Sequence, residues 1–464
     1  LLPRHEPRPL AVLVGAKREQ LVTTVPPVLG KAARRAHAGR RRRTRILRRD
    51  VVARDDLRVH SAPPAASVLP AASMAAYMST IERSSEGGNV RRYAAMLGGS
   101  VGPIDDTAAL ALPGVEKRVM LEAWAGGTAG FAVVGKTTWH ARQGAQAVQV
   151  QWPAPGTGAA DTTRIQADLL KALNTESGFT FHEQGVPTQA EKAAATRIDA
   201  LYQAPYLAHA TMEPMNCTAQ VKDGKVEIWV PTQVPQMARD MAAKVAKVDK
   251  DKVTVHVTQL GGGFGRRLEV DFVGQAVQVA MACEGQPVQL SWSREEDMTH
   301  DFYRPMHLSK FQASLDEKGE VTSLRIKSAG DAITPRWMAR AVPALSGPID
   351  MPDKTASEGL FDLPYGFANQ HIAHVATRMG VPVGYWRSVG HSHNAFFSES
   401  FIDELAVATK QDPLAFRRRH LQDPRALAVL EAAAANGLAL LIAAGEIPEL
   451  AGRSIIRSEE RRVG

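Results

Sequence analysis

Cysteine is almost absent. The 464 residues hold two, Cys217 and Cys283, and no CxxC pair. A cysteine-bound zinc or iron–sulfur site cannot be built from this chain alone. A disulfide between the two is open, but nothing in the sequence requires one. Long apolar runs are lacking too: the longest, around residues 438–444, is far shorter than the ~20 residues of a membrane-spanning helix. Aromatic residues make up only 6%, and none lies in residues 1–60, where arginine is densest. That stretch therefore offers no stacking platform for nucleobases.

Charge is present but unevenly placed. The formal net charge of +8 arises from residues 1–60, which hold 16 Lys/Arg against 5 Asp/Glu, so the rest of the chain is slightly acidic. Residues 1–75 have scattered apolar positions without a period, and read as a basic tail, disordered or non-native. Taken literally, the arginines could contact phosphates, and an arginine-tailed nucleic-acid-binding protein is the alternative reading this leaves. The composition equally fits translated non-coding or out-of-frame DNA. The last residues, 457–464 (RSEERRVG), resemble translated adapter sequence, and 436–464 read as a second tail.

Between the tails the patterning is that of a folded α+β protein. Residues 76–152 read as a partial small domain. Strands are expected at 108–113, 115–121, 131–134 and 148–152, with a helix at 138–147. Residues 153–200 read as a linker with helices at 163–173 and 190–200. A larger domain is expected over 201–435. Asp223-Gly224 between alternating apolar residues signals a type I′ hairpin. A helix over 234–245 follows, then strand 288–292, a hairpin of 307–315 with 321–329, and a helix from near Asn394. Asp412 and Pro413 fit the N-cap and N1 positions of a short helix.

Residues 253–282 carry the densest signal: alternating Val253, Val255 and Val257, then Gly261, Gly262, Gly263, Phe264 and Gly265, then apolar residues at helical spacing from Leu268. Glycines permit positive φ and close backbone approach to a ligand. A helix N-terminus, with Arg266 and Arg267 adding charge, could hold an anion. Other candidates are weaker. His391 and His393 have strand spacing for a metal pair, but no third ligand is evident. His209 and Glu213 suggest a buried structural pair. Glu295, Glu296 and Asp297 suggest a solvated helix start.

Gln233 with the GGGFGRR loop, MEPMNCTA before them and GYWRSVGHSHNAFFSESFIDELA after them together resemble the molybdenum-binding subunit of the xanthine oxidase superfamily. The isoquinoline 1-oxidoreductase β-subunit and aldehyde oxidoreductase branch is the most similar in pattern. TTWHARQGAQAVQVQW resembles the small hammerhead-like domain that precedes the cofactor domain there. The resemblance covers about residues 105–435 and makes 201–435 the first molybdopterin-binding domain.

It implies oxidation of an aldehyde or N-heterocycle with water as oxygen source. It implies a molybdopterin, in its cytosine dinucleotide form, and a small partner subunit carrying [2Fe-2S] clusters. A cytoplasmic or periplasmic bacterial location follows, with no nucleic-acid partner. By the same resemblance Gln233 reaches an oxygen ligand of molybdenum, and Gly261, Gly262, Gly263, Phe264 and Gly265 line the cofactor. Arg387 orients substrate and contributes to the cofactor site. Two departures stand out: Leu268 occupies the place of the family's glutamate after the loop, and the second molybdopterin-binding domain is not seen. The expectation is a fragment, inactive alone; a catalytically inactive remnant is the other alternative.

Overall fold

A computed structural model describes residues 88–93, 100–153, 160–283, 285–346 and 352–443. All lie in the compact unit spanning Ala71–Gly464. The readings made for residues 1–75 and 444–464 fall outside the described residues. The helix Pro424–Ala443, however, continues through Gly437 into the stretch read as a second tail.

The first part of the chain carries β1 (Gly88–Tyr93), β2 (Ile104–Asp105), β3 (Val115–Leu121), β4 (Gly130–Gly135) and β5 (Gln149–Val150). β6 (Phe179–Gln184) and β7 (Thr196–Ala204) follow. Next come β8 (Asn216–Lys222), β9 (Lys225–Val230), β10 (Val253–Val257) and β11 (Val288–Ser291). β12 (His307–Leu315), β13 (Val321–Asp331) and β14 (Gln370–Thr377) complete the set.

One sheet has seven strands in the order β10-β9-β8-β11-β1-β4-β3. Next to its β10 edge is the expected hairpin, β8–β9: Asp223 and Gly224 have φ of 50° and 71°, the paired positive values of a type I′ turn. β10 runs parallel to β9, with Val253 opposite Val226 and Val257 opposite Val230. The helix Pro235–Ala246 connects them, opened by Pro235 at its first position. The helix Asp271–Met281 packs on β8 and is buried on nearly every side, from Phe272 and Val273 through Val279 and Ala280. The sequence pattern suggests a single apolar face beginning at Leu268. Leu268 instead belongs to a short 3-10 turn, Arg266–Leu268, before the helix.

The second sheet has the order β6-β14-β13-β12-β7. Both faces of its centre are covered. Phe311, Leu324, Ile326 and Ile372 face one cluster with Phe397 and Phe401; Leu308, Ala329 and Val375 face another with Ile165 and Leu169. The alternation along each strand assigns the two faces.

Three expectations are corrected. Residues 108–113 are not a strand; Thr107–Leu110 is a helical turn, with the Thr107 N–H donating to Asp105 Oδ1 at 3.0 Å. The 190–200 helix is replaced by a short helix, Pro187–Lys192, and by β7, whose residues pair along the whole of β12. Residues 153–200 thus supply strands at both edges of the second sheet, in addition to the expected helix, here Thr162–Thr175.

Candidate active site

The parallel pair β9 and β10 ends on one side of its sheet, and both strand ends lead into candidate residues. In open α/β arrangements that is where ligands are received. Gln233 follows β9 and the glycine loop follows β10. The Gln233 N–H donates to the Arg267 carbonyl at 3.0 Å, and the Gly265 N–H donates to Gln233 Oε1 at 3.2 Å.

The loop has an unusual backbone. Gly262 and Gly265 have φ of 103° and 106°, and Phe264 between them has φ of 51°. A left-handed phenylalanine is strained, and such strain concentrates where function requires it. The N–H groups of Gly262, Gly263 and Phe264 have no hydrogen-bond partner among the described residues. Successive free N–H groups in such a turn form an anion-binding concavity. Phe264 is 42% exposed.

Arginines 266 and 267, read from sequence as charges offered to a ligand, are both fully buried instead. Arg266 grips Asp271 with two hydrogen bonds of 2.9 Å and lies 3.1 Å from Asp301. Arg267 donates to the carbonyls of Gly262 (2.7 Å), Pro231 (3.0 Å) and Glu213 (3.0 Å), and to Glu213 Oε2 (2.8 Å). They brace the loop from below because buried charge persists only when paired and hydrogen-bonded. Glu213 completes the brace, accepting the Gly261 N–H at 2.8 Å.

A second loop meets the first. If a Cβ is built on Gly265 it falls 1.8 Å from the Tyr385 carbonyl oxygen, so only glycine permits this approach. Two residues on, the Arg387 guanidinium lies over the Phe264 ring, 5.9 Å from its centre. Ser388 and Val389 have φ of 64° and 48°, a second strained turn. Trp386 holds it, donating Nε1–H to the Ala208 carbonyl at 3.3 Å and lying under Arg304. The structure thus gathers Gln233, Gly261 to Gly265 and Arg387 into one exposed surface.

The remaining candidates separate. His209 does not pair with Glu213; it contacts Asp301 and the Tyr385 carbonyl. His391 is on the surface near Asp362, while His393, on the same helix His391–Ala408, is buried beside His307 and His374. Helical rather than strand geometry sends the two histidines to different surroundings. Among the described residues no group of His, Cys, Asp and Glu could hold a metal ion. Asp297 is buried, so the 295–297 cluster is not wholly solvated; burial raises its pKa, against the opposing charge of Arg266. Glu269 is buried against Arg340 at 2.6 Å, away from any exposed role. Burial pushes its pKa up, with Arg340 pulling against it.

The sequence profile of the molybdopterin cofactor-binding domain matches residues 172–421. The chain belongs to this molybdopterin-binding oxidoreductase family. The match takes in β6 and β7 along with both loops. The β-subunit of isoquinoline 1-oxidoreductase of Brevundimonas diminuta is 30% identical over 351 residues, covering 71% of this chain and 42% of that protein. The nicotinate dehydrogenase of Pseudomonas putida contributes a relative 25% identical over 342 residues, covering 73% of this chain and 28% of that protein. The chain thus spans less than half the length of these curated relatives.

Among solved structures, the aldehyde oxidoreductase of Desulfovibrio gigas has a TM-score of 0.55 at 18% identity, covering 74% of this chain and 40% of that one. It establishes a shared mixed α/β fold. No helix among the described residues is long and apolar enough to cross a membrane.

The residues present fit a molybdopterin. Its phosphate and sulfur groups are anionic, and the loop offers open N–H donors, those of Gly262 and Gly263 without a Cβ in the way. The nearby carboxylate of Glu213 is neutralised by Arg267.

Proposed function

We propose that the glycine loop, Gln233 and the Arg387 turn form this chain's share of the site of a molybdenum hydroxylase that oxidises an aldehyde or an N-heterocycle. The observation that carries the reading is the strained 261–265 loop, with its open N–H groups, meeting the Arg387 turn at Gly265. When bound, the cofactor supplies two-electron redox chemistry, with water as the source of oxygen. The chain's residues bind and orient. The N–H groups of Gly262, Gly263 and Phe264 receive anionic atoms. Gln233 has its oxygen occupied by Gly265, which leaves its amide NH2 as a donor toward an oxygen. The planar guanidinium of Arg387 suits the orienting of a polar substrate and the stabilising of developing negative charge.

The names of the relatives support the substrate class. The cytosine dinucleotide form of the cofactor is part of the same proposal, as is a small partner protein carrying [2Fe-2S] clusters. Cys217 and Cys283 are both buried and lie far from a CxxC arrangement, so electrons need another carrier. We also assign residues 76–152 to a partial hammerhead-like small domain and 201–435 to the first molybdopterin-binding domain.

The test uses the whole enzyme with its iron–sulfur partner, comparing molybdenum content by mass spectrometry with steady-state turnover. Arg387→Lys keeps the charge and loses the fork; turnover should fall about tenfold or more with molybdenum retained. Gln233→Ala should lose about 0.5–1.5 kcal/mol of stabilisation. Full turnover in Arg387→Lys would remove Arg387 from the site, and a molybdenum-free parent enzyme would favour the inactive-remnant reading.

A further inference from the structure

We propose that His209 is a positioning residue that carries protons on both ring nitrogens and fastens the Arg387 turn to the glycine loop. His209 is buried, and each ring nitrogen faces a group that can only accept. Nε2 lies 2.8 Å from the Tyr385 carbonyl oxygen. Nδ1 lies 2.9 Å from both carboxylate oxygens of Asp301.

Asp301 is itself ionised by its surroundings. It accepts the N–H groups of His209 (2.6 Å) and Phe302 (2.7 Å) and lies 3.1 Å from Arg266 Nε. Burial works to raise its pKa, but the hydrogen bonds it accepts and the charge of Arg266 hold it below the usual carboxylate value. A neutral ring would turn a lone pair on either the carbonyl or the carboxylate, so both nitrogens donate. The flanking groups are then Asp301, with Arg266 behind it, on one side, and the Tyr385 carbonyl on the other.

The consequence reaches both loops. The Tyr385 oxygen that His209 holds is the one pressed on Gly265, and the His209 Nε2 lies 3.2 Å from where a Gly265 Cβ would stand. Gly265 bonds Gln233, Phe264 precedes it, and Arg387 follows Tyr385 by two residues. One buried cation therefore sets the spacing of Gln233, Phe264 and Arg387 without touching a ligand. The inference rests on the proposed site only in taking these loops as its walls. Loop fastening can be read with or without cofactor.

The test uses the full chain with histidine labelled at the ring nitrogens. His209→Leu identifies the resonance by its disappearance. The expected spectrum at neutral pH shows both His209 ring nitrogens protonated; one unprotonated nitrogen would overturn the proposal. In His209→Leu, amide exchange at Gly265 and Val389, the hydrogen-bonded amides of the two loops, should quicken about tenfold or more, the effect of losing one charge-assisted hydrogen bond. The β8–β9 hairpin should be unchanged. Exchange unchanged at both loops, or quickened uniformly across the chain, would also overturn it. Where His209→Leu does not fold, Asp301→Asn provides the second variant: one His209 ring nitrogen should lose its proton, and retention of both would count against the mechanism. In the unsubstituted enzyme, failure to bind molybdopterin while both loops stay protected would instead count against the proposed site and leave the fastening intact.

Discussion

Gln233 and Gly265, 32 residues apart, are joined by a hydrogen bond of 3.2 Å from the Gly265 N–H to the Gln233 side-chain oxygen. The bond ties the end of β9 to the loop after β10, and it makes the glycines of that loop unequal in what they can tolerate.

Gly265→Ala should be the most damaging change in the loop. The new methyl would collide with the Tyr385 carbonyl at a φ of 106°, and backbone on both sides cannot yield cheaply. A loss of about 2–5 kcal/mol is expected from overpacking and left-handed strain together. Gly263→Ala should cost less than half as much, because its methyl meets the Gln233 side chain, at 2.7 Å from Oε1, and that exposed side chain can swing away. Denaturant midpoints of the two variants check the order.

Phe264→Gly should leave the fold as stable as before or raise it by up to about 1 kcal/mol. The left-handed strain of Phe264 is relieved, offset in part by the entropy of glycine. Arg387 loses the ring beneath it, so molybdenum content or turnover should fall while stability does not. A calorimetric melt beside metal analysis separates the two.

Asp271→Asn should destabilise by about 3–5 kcal/mol, since it leaves Arg266 buried with half its compensation gone. Lys354→Ala, on an exposed helix start, should change stability by less than about 0.5 kcal/mol. Urea unfolding of both tests whether Arg266 is a structural brace.

Acid should weaken the fold through three buried histidines. His307, His374 and His393 lie together, and five of their six ring nitrogens lack a hydrogen-bond partner among the described residues. Burial lowers all three pKa values, that of His374 to about 4 and that of His393 to about 3, with His307 well below the ordinary value. The folded state therefore keeps them neutral, and the unfolded chain binds protons below about pH 6.5. Their contribution is intact above that pH and is lost as pH falls toward 4 and 3. One such ring should cost about 1–3 kcal/mol by about pH 5. His393→Phe should flatten the decline, as read from denaturant midpoints taken between neutral and mildly acidic pH.

Short-range chemistry was legible in the sequence. Asp223-Gly224 fixed its hairpin, Asp412 caps its helix by accepting the Ala415 N–H at 2.9 Å, and the 138–147 helix needed only its local pattern. Long-range pairing was not. Residues 196–200 look helical by composition, but β12 supplies a full row of partners, and tertiary pairing overrides propensity. The arginines after the glycine loop could not be told from ligand contacts, because their carboxylates, Glu213, Asp271 and Asp301, are scattered along the chain. The sequence pairs His209 with the near residue Glu213, whereas its partner Asp301 stands 92 positions away.

β1 lies between β4 and β11, pairing antiparallel with the first and parallel with the second. During synthesis, β4 is available within tens of residues, whereas Leu290, opposite Asn89, emerges about two hundred residues later. At about 5–20 residues per second, one side of β1 waits some 10–40 s on the ribosome as an unpaired edge. An edge left open that long is a template for pairing with other chains, so the order of synthesis makes β1 the strand most exposed to mispairing before β11 arrives.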